Sequence, residues 1–200
     1  MQIPLYEYFW HDTKFSILLK FVSQQSGFAF FGAYNFGCAH FLFCGVFAVE
    51  IYRVSFIGHR RLYKIRQIED RLEEIIRQLI RSKEYVEFYV GRNGDFDICV
   101  GSAVKRVQEE LGKQNSCLIL VLPYPSKDQE YFEKYYDELC LPVDGKTHYK
   151  AAITKRNEWL VDNSDMLIAY VENQSGGAYK TIKYAEKNNV PITNIANKLE

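Results

Sequence analysis

The sequence has no surplus of either charge: 25 Lys and Arg stand against 25 Asp and Glu, for a formal net charge of zero. Gripping a phosphate backbone takes basic side chains in excess, so dedicated nucleic-acid binding is not expected. The sequence also lacks a Cys-x-x-Cys pair. Its five cysteines, Cys38, Cys44, Cys99, Cys117 and Cys140, form an odd set, which argues against a disulfide framework and for a reducing, cytoplasmic setting. Cys38, His40 and Cys44 lack an evident fourth ligand in a setting of phenylalanines, so they read as small apolar fillers and no metal site is expected. No internal repeat or low-complexity linker is found. With 48% hydrophobic and 25% charged residues, 200 residues make an ordinary globular chain, long enough to bury a core.

Charge is missing altogether from Phe21 to Val49, a stretch that holds more than half of the 14 Phe. Residues 1–52 carry only Glu7, Asp12, Lys14, Lys20 and Glu50. Phe28–Val49 is long enough to span a membrane, which takes about 20 apolar residues, but Asn35, His40 and three glycines interrupt it. A secretory signal fits badly, because the apolar run begins late and no small-residue cleavage site is clear. Three readings of 1–52 stay open: a dispensable extension upstream of the true start, a membrane anchor through 28–49, or a packed appendage. The first is preferred, given how abruptly a regular pattern begins at Arg53.

From there the periodicity changes. Arg53–Gly58, Tyr85–Val90, Cys117–Leu122, Met166–Val171 and Val190–Ile195 read as strands, the third a continuous apolar run covered on both faces. Pro191 places the last at an edge. Between them Ile65, Ile68, Leu72, Ile75, Ile76 and Leu79 recur at helical spacing, and helices are expected over Phe96–Leu111, Gln129–Leu139, Ile153–Val161 and from Gly176 to Lys187, with His148 in a loop. Alternating strands and helices predict an α/β fold over 53–200: a Rossmann-like, doubly wound parallel sheet of about five strands.

Ligands of such sheets bind outside the carboxyl ends of the strands. Those ends carry Gly58, His59 and Arg60; Gly91, Arg92, Asn93, Gly94 and Asp97; Tyr124; and Gly176 with Gly177. The helix after Gly94 has Asp95 and Asp97 in its first turn, so a phosphate is unwelcome there. Asp95 reads as its N-cap, and Asp97 as a partner for a ribose hydroxyl. The helix opened by Gly176 and Gly177 has no acid in its first turn but carries Lys180 and Thr181, so a phosphate is placed there; a tight turn and a solvated lysine face is the plain alternative. His59 reads equally as a functional group or a hydrogen-bonded turn residue. Arg60 suits phosphate. Arg156 and Asn157 fit ligand binding or a salt bridge with packing, and Tyr124 fits stacking on a base or capping the sheet.

The series Phe56-Ile-Gly-His-Arg60, Phe88-Tyr-Val-Gly-Arg-Asn-Gly-Asp-Phe-Asp97, Leu122-Pro-Tyr124, Lys155-Arg-Asn157, Asp165-Met-Leu-Ile-Ala169 and Gly176-Gly177 resembles the SLOG superfamily, and within it the YpsA-like bacterial branch with a Gly-His-Arg start. The resemblance covers about 53–196. It implies a Rossmann-like domain that binds nucleotide-derived ligands, with Gly58, Arg60, Gly91, Gly94, Asp97, Arg156, Asn157, Gly176 and Gly177 as pocket residues. Family members that hydrolyse nucleotides carry Pro-Gly-Gly-x-Gly-Thr followed by a catalytic Glu. Here Ser175 replaces the proline, and Ile182-Lys183 supply no carboxylate.

Two functions follow. The first is a cytoplasmic sensor that binds a nucleotide or ADP-ribose-like small molecule without turnover and requires no cofactor. The second is a hydrolase cleaving the N-glycosidic bond of a nucleotide, with Asp97 as first catalytic suspect and Glu158 behind it. A membrane-tethered sensor is a third reading. Pairing into a homo-oligomer stays open, since related domains often pair.

Overall fold

The computed structural model describes residues 49–198. Expectations for the chain up to residue 48, including the span beginning at Phe28 and the Cys38, His40 and Cys44 fillers, lie outside the described residues. Among the described residues, no helix is long and apolar enough to cross a membrane.

The elements run β1 (Ile51–Gly58), α1 (Ile65–Ser82), β2 (Tyr85–Val90), α2 (Asp95–Leu111), β3 (Ser116–Val121), α3 (Gln129–Tyr135), β4 (Glu138–Cys140), α4 (Tyr149–Asp162), β5 (Met166–Tyr170), α5 (Gly176–Lys187) and β6 (Ile192–Asn194), closed by a 3-10 turn at Ile195–Lys198. All strands are parallel, in the order β4-β3-β2-β1-β5-β6. This is the doubly wound α/β arrangement, with β6 at one edge, as Pro191 suggests.

Strand alternation sorts the core into two layers. Val54, Phe56, Phe88, Leu118 and Leu120 face Ile68, Leu72 and Ile76 of α1 and Val100, Val104 and Val107 of α2. Ile57, Leu167 and Ala169 pack with Val161 of α4 and Ile182 and Ala185 of α5. Leu160 of α4 packs with Tyr89, Ile119 and Val121 in the same manner. α1 buries Ile68, Leu72, Ile76 and Ile80, one residue per turn, and its polar side is tied to α2 by Arg77–Glu110 and Arg106–Glu73 ion pairs.

Three expectations are corrected. The sheet has six strands, because the chain expected to continue as a helix to Leu139 leaves it at Tyr136 and joins the edge as β4. Asp137 draws it there: its N–H donates to Leu118 O (2.9 Å), and its carboxylate accepts from Leu118 N–H (2.8 Å) and Lys105 Nζ (2.9 Å). Second, α4 begins before Ile153, at Tyr149. His148 is its N-cap, with Nδ1 accepting from Lys150 N–H (3.4 Å). Third, Gly94, not Asp95, is the N-cap of α2. Asp95 is already helical, and its carboxylate accepts instead from Leu62 N–H (3.2 Å) in the β1–α1 loop.

The strand order reverses at β1, which pairs with β2 on one side and β5 on the other. The crevice of a doubly wound sheet opens there, between the carboxyl ends of β1 and β5, where Gly58 lies beside Tyr170.

Candidate ligand site

A cavity of about 330 Å³ occupies this crevice, a volume at the small end for ligand sites. Five segments build it: the end of β1, the β2–α2 loop, the first turns of α2, one side of α4, and the N-terminus of α5.

At the end of β1, Gly58, His59 and Arg60 all line the cavity. Gly58 answers first to packing, since a Cβ there would lie 2.3 Å from Cγ of Phe96. Phe96 in turn stacks on Tyr170. His59 Nε2 accepts the Glu172 N–H (2.9 Å), and its ring meets Tyr170 edge-on. With Nε2 engaged as an acceptor, the neutral ring carries its proton on Nδ1. His59 therefore locks β1 to the loop after β5 and does not offer Nε2 as a base. Arg60 is exposed at the rim, and its carbonyl accepts the Asp95 N–H (2.9 Å). Gly94 makes that crossing feasible: a Cβ there would stand 2.6 Å from the Arg60 Cα.

From the β2–α2 loop, Asn93 and Gly94 line the cavity, as does Asp97 one turn into α2. Asp97 is buried, and Oδ2 accepts the Asn93 N–H (2.7 Å). Burial pushes its carboxyl pKa up, opposed by the charge of Arg156 and by the Asn93 N–H. Gly91 lies beneath this group and outside the lining.

On α4, Ile153, Arg156 and Asn157 face the cavity together, the i, i+3, i+4 spacing that puts residues on one side of a helix. Arg156 is only 3% exposed, yet neither Nε nor Nη1 has a hydrogen-bond partner in the protein. Burial lowers its pKa, opposed by Asp97 and Tyr124, and a guanidinium stays charged regardless. Asn157 is 9% exposed. Its Nδ2 donates to Thr181 Oγ1 (3.2 Å), while Oδ1 is buried without a partner.

The opposite wall is the start of α5, where Ser175, Gly176, Gly177 and Ala178 line the cavity. Gly176 has φ 89°, the left-handed region that glycine alone enters freely. A Cβ on Gly176 or Gly177 would meet no atom within 4 Å. Ser175 caps nothing with its side chain, and no acid stands in the first turn. The free N–H groups and positive end of a 12-residue helix thus border the cavity.

Other residues singled out from the sequence stand elsewhere. Arg92 turns away to α3, lying over the rings of Phe132 (5.0 Å) and Tyr131 (5.7 Å), with Nη1 donating to the Tyr136 hydroxyl (3.4 Å). Lys180 is exposed and outside the lining. Thr181 is buried, and its hydroxyl donates to Gly177 O (3.0 Å). Tyr124 is 45% exposed and outside the lining. Glu158 is also outside the lining, and its charge acts on Tyr184 of α5. Ile57, Ile153 and Ala178 complete the wall without having been singled out, together with Ser175, noted before only for standing where the family motif has proline. Only Ile153 had a legible signal, one helical turn before Arg156. Among the described residues, no group of three or more His, Cys, Asp or Glu is placed to hold a metal ion.

No family model matches the sequence, and no curated protein does. Solved structures do match the fold. DNA processing protein A of Helicobacter pylori, described with a single-stranded DNA binding mode, has a TM-score of 0.52 at 17% identity, over 74% of this chain and 71% of that one. Its Streptococcus pneumoniae counterpart has a TM-score of 0.53 at 15% identity, over 71% of this chain and 49% of that one. The shared fold is the Rossmann-like α/β form with a parallel sheet. The molybdenum cofactor carrier protein of Chlamydomonas reinhardtii shares the Rossmann-like form, with a TM-score of 0.50 at 15% identity over 72% of this chain and 75% of that one. At these identities the likeness is one of fold.

Proposed function

We propose that this protein is a cytoplasmic SLOG-like binding module, a sensor whose cavity takes a nucleotide or ADP-ribose-like ligand without turning it over. The observation that carries the reading is Arg156: a buried guanidinium in the cavity lining, with Nε and Nη1 lacking protein partners. A buried charge left short of hydrogen bonds is costly, and an anionic ligand group supplies what is missing. The open start of α5 across the cavity adds N–H groups suited to phosphate. The Gly-His-Arg series supports the YpsA-like branch.

Hydrolysis of an N-glycosidic bond is the second reading, favoured by the Asp97 carboxylate in the cavity lining. A hydrolase needs an acid and a base or nucleophile at the sugar carbon. Asp97 is engaged by Asn93 N–H and Arg156, and Glu158 is outside the lining. Sensing is therefore preferred. Single-stranded DNA, which the Helicobacter pylori protein binds, is disfavoured by a net charge of zero.

Thermal unfolding of the full chain against nucleotides, ADP-ribose and a single-stranded oligonucleotide, with chromatography of each mixture, tests this. A ligand at a hundredfold excess over its dissociation constant adds about 2.7 kcal/mol of stability. A raised Tm with intact ligand, lost in Arg156→Met, supports the sensor. Released free base makes the protein an enzyme. Stabilisation by the oligonucleotide alone, or by nothing, overturns the small-ligand reading.

A further inference from the structure

The direction of one buried hydrogen-bond chain gives the cavity a second requirement. Thr181 has one hydroxyl proton, and it goes to Gly177 O (3.0 Å), the carbonyl one turn back along α5. Towards Asn157 the hydroxyl can then only accept, and it accepts from Nδ2 at 3.2 Å. The amide of Asn157 is thereby held in one orientation, with Nδ2 to α5 and Oδ1 left over. That Oδ1 is buried, has no protein partner, and belongs to a residue lining the cavity. Next to it on α4, Arg156 presents only donors, of which Nε and Nη1 are also unpartnered.

The two adjacent side chains thus ask for opposite things: Arg156 for an acceptor, Asn157 for a donor. A fully ionised phosphate offers acceptors alone and leaves Asn157 Oδ1 bare. A sugar hydroxyl offers both, donating its proton to Oδ1 while its lone pairs face the guanidinium. Asp97, in the same lining with Oδ2 already engaged by Asn93 N–H, gives a second hydroxyl an acceptor in Oδ1.

We infer that Asn157 reads a sugar hydroxyl of the ligand, and that Thr181 is the positioning residue that fixes its amide for the task. The inference rests on the proposed nucleotide-type ligand and narrows it to ligands with an intact ribose diol, as opposed to deoxygenated analogues or inorganic phosphate.

The test is calorimetric titration of the full chain with ribonucleoside 5′-monophosphates, their 2′,3′-dideoxy counterparts and inorganic phosphate. Leaving a buried acceptor unpaired should weaken dideoxy binding by about tenfold or more. In Thr181→Val, which keeps the shape but frees the amide to turn over, that preference should shrink by about the same factor, with dideoxy affinity little changed. Thr181→Ser, which restores the hydroxyl, should restore it. Equal affinity of the wild type for the ribo and dideoxy series overturns this inference while leaving the nucleotide reading intact, and needs no variant to be folded. A folded Thr181→Val that keeps the full preference overturns the positioning role. No binding of either series overturns the inference together with the nucleotide reading beneath it.

Discussion

Asp97 and Arg156 converge over the backbone of Gly91: a Cβ on that glycine would lie 2.7 Å from Asp97 Oδ2 and 2.8 Å from Arg156 Nη1. One residue comes from α2 and the other from α4, helices on opposite faces of the sheet. The end of β2 passes between them without a side chain, which lets the carboxylate and the guanidinium share the floor of the cavity.

Gly91→Ala should therefore disturb both charges at once. The added methyl meets polar atoms below contact distance, and overpacking of a buried site costs about 1–3 kcal/mol. Denaturant unfolding should show that loss, and ligand-induced stabilisation should fall with it. Gly177→Ala, whose methyl meets nothing within 4 Å, is the control for a glycine substitution near the cavity and should keep stability within about 0.5 kcal/mol.

The two arginines should part company. Arg92 stacks on Phe132 and Tyr131, so Arg92→Met should leave ligand affinity within about twofold and cost about 0.5–1 kcal/mol of stability through the lost cation–π contacts. Arg156→Met should abolish anion binding and leave Asp97 buried without its counter-charge. Titration calorimetry beside denaturant unfolding separates the two. Loss of binding in Arg92→Met would return that residue to the site.

The thiols give a pH signature. Burial pushes Cys99 up to about 11 and Cys117 up to about 12, with nearby acids adding to both. Cys99 and Cys117 should therefore resist iodoacetamide at pH 8 in the folded protein, whereas half-buried Cys140, also raised by burial, should react before them. Peptide mapping by mass spectrometry reads this directly. The sign for stability follows from linkage. Below the ordinary thiol value of 9.0 neither state ionises, so the contribution is complete. Above it the unfolded chain loses thiol protons that the folded chain keeps, so stability should fall as pH rises from 9 towards 11 and 12. Cys117→Ala should flatten that fall.

The architecture could be read from local patterns along the chain. The short run Val54 to Ile57, buried throughout, and one buried residue per turn in Ile68, Leu72 and Ile76 are local records of strand and helix, and repetition over 53–200 leaves few topologies. The glycine-bearing strand ends were legible for the same reason. β4 was not, because three residues cannot show a period, and what holds them at the edge is Asp137 bonding to Leu118 of another strand.

The site divides along the same line. Gly58, Arg60, Asp97, Gly176 and Gly177 could be placed near the strand ends by counting elements, whereas Arg156 and Asn157 entered as pocket residues through the family resemblance. It took the packed fold to show that Arg92 leaves for α3 while Arg156 enters the cavity, that His59 spends Nε2 on Glu172, and that Thr181 accepts from Asn157 Nδ2. Periodicity encodes the burial of a face, a property of one segment. The direction of a hydrogen bond, and the missing partner of a buried Nη1 or Oδ1, are set between segments, by distances that exist only once the helices have packed.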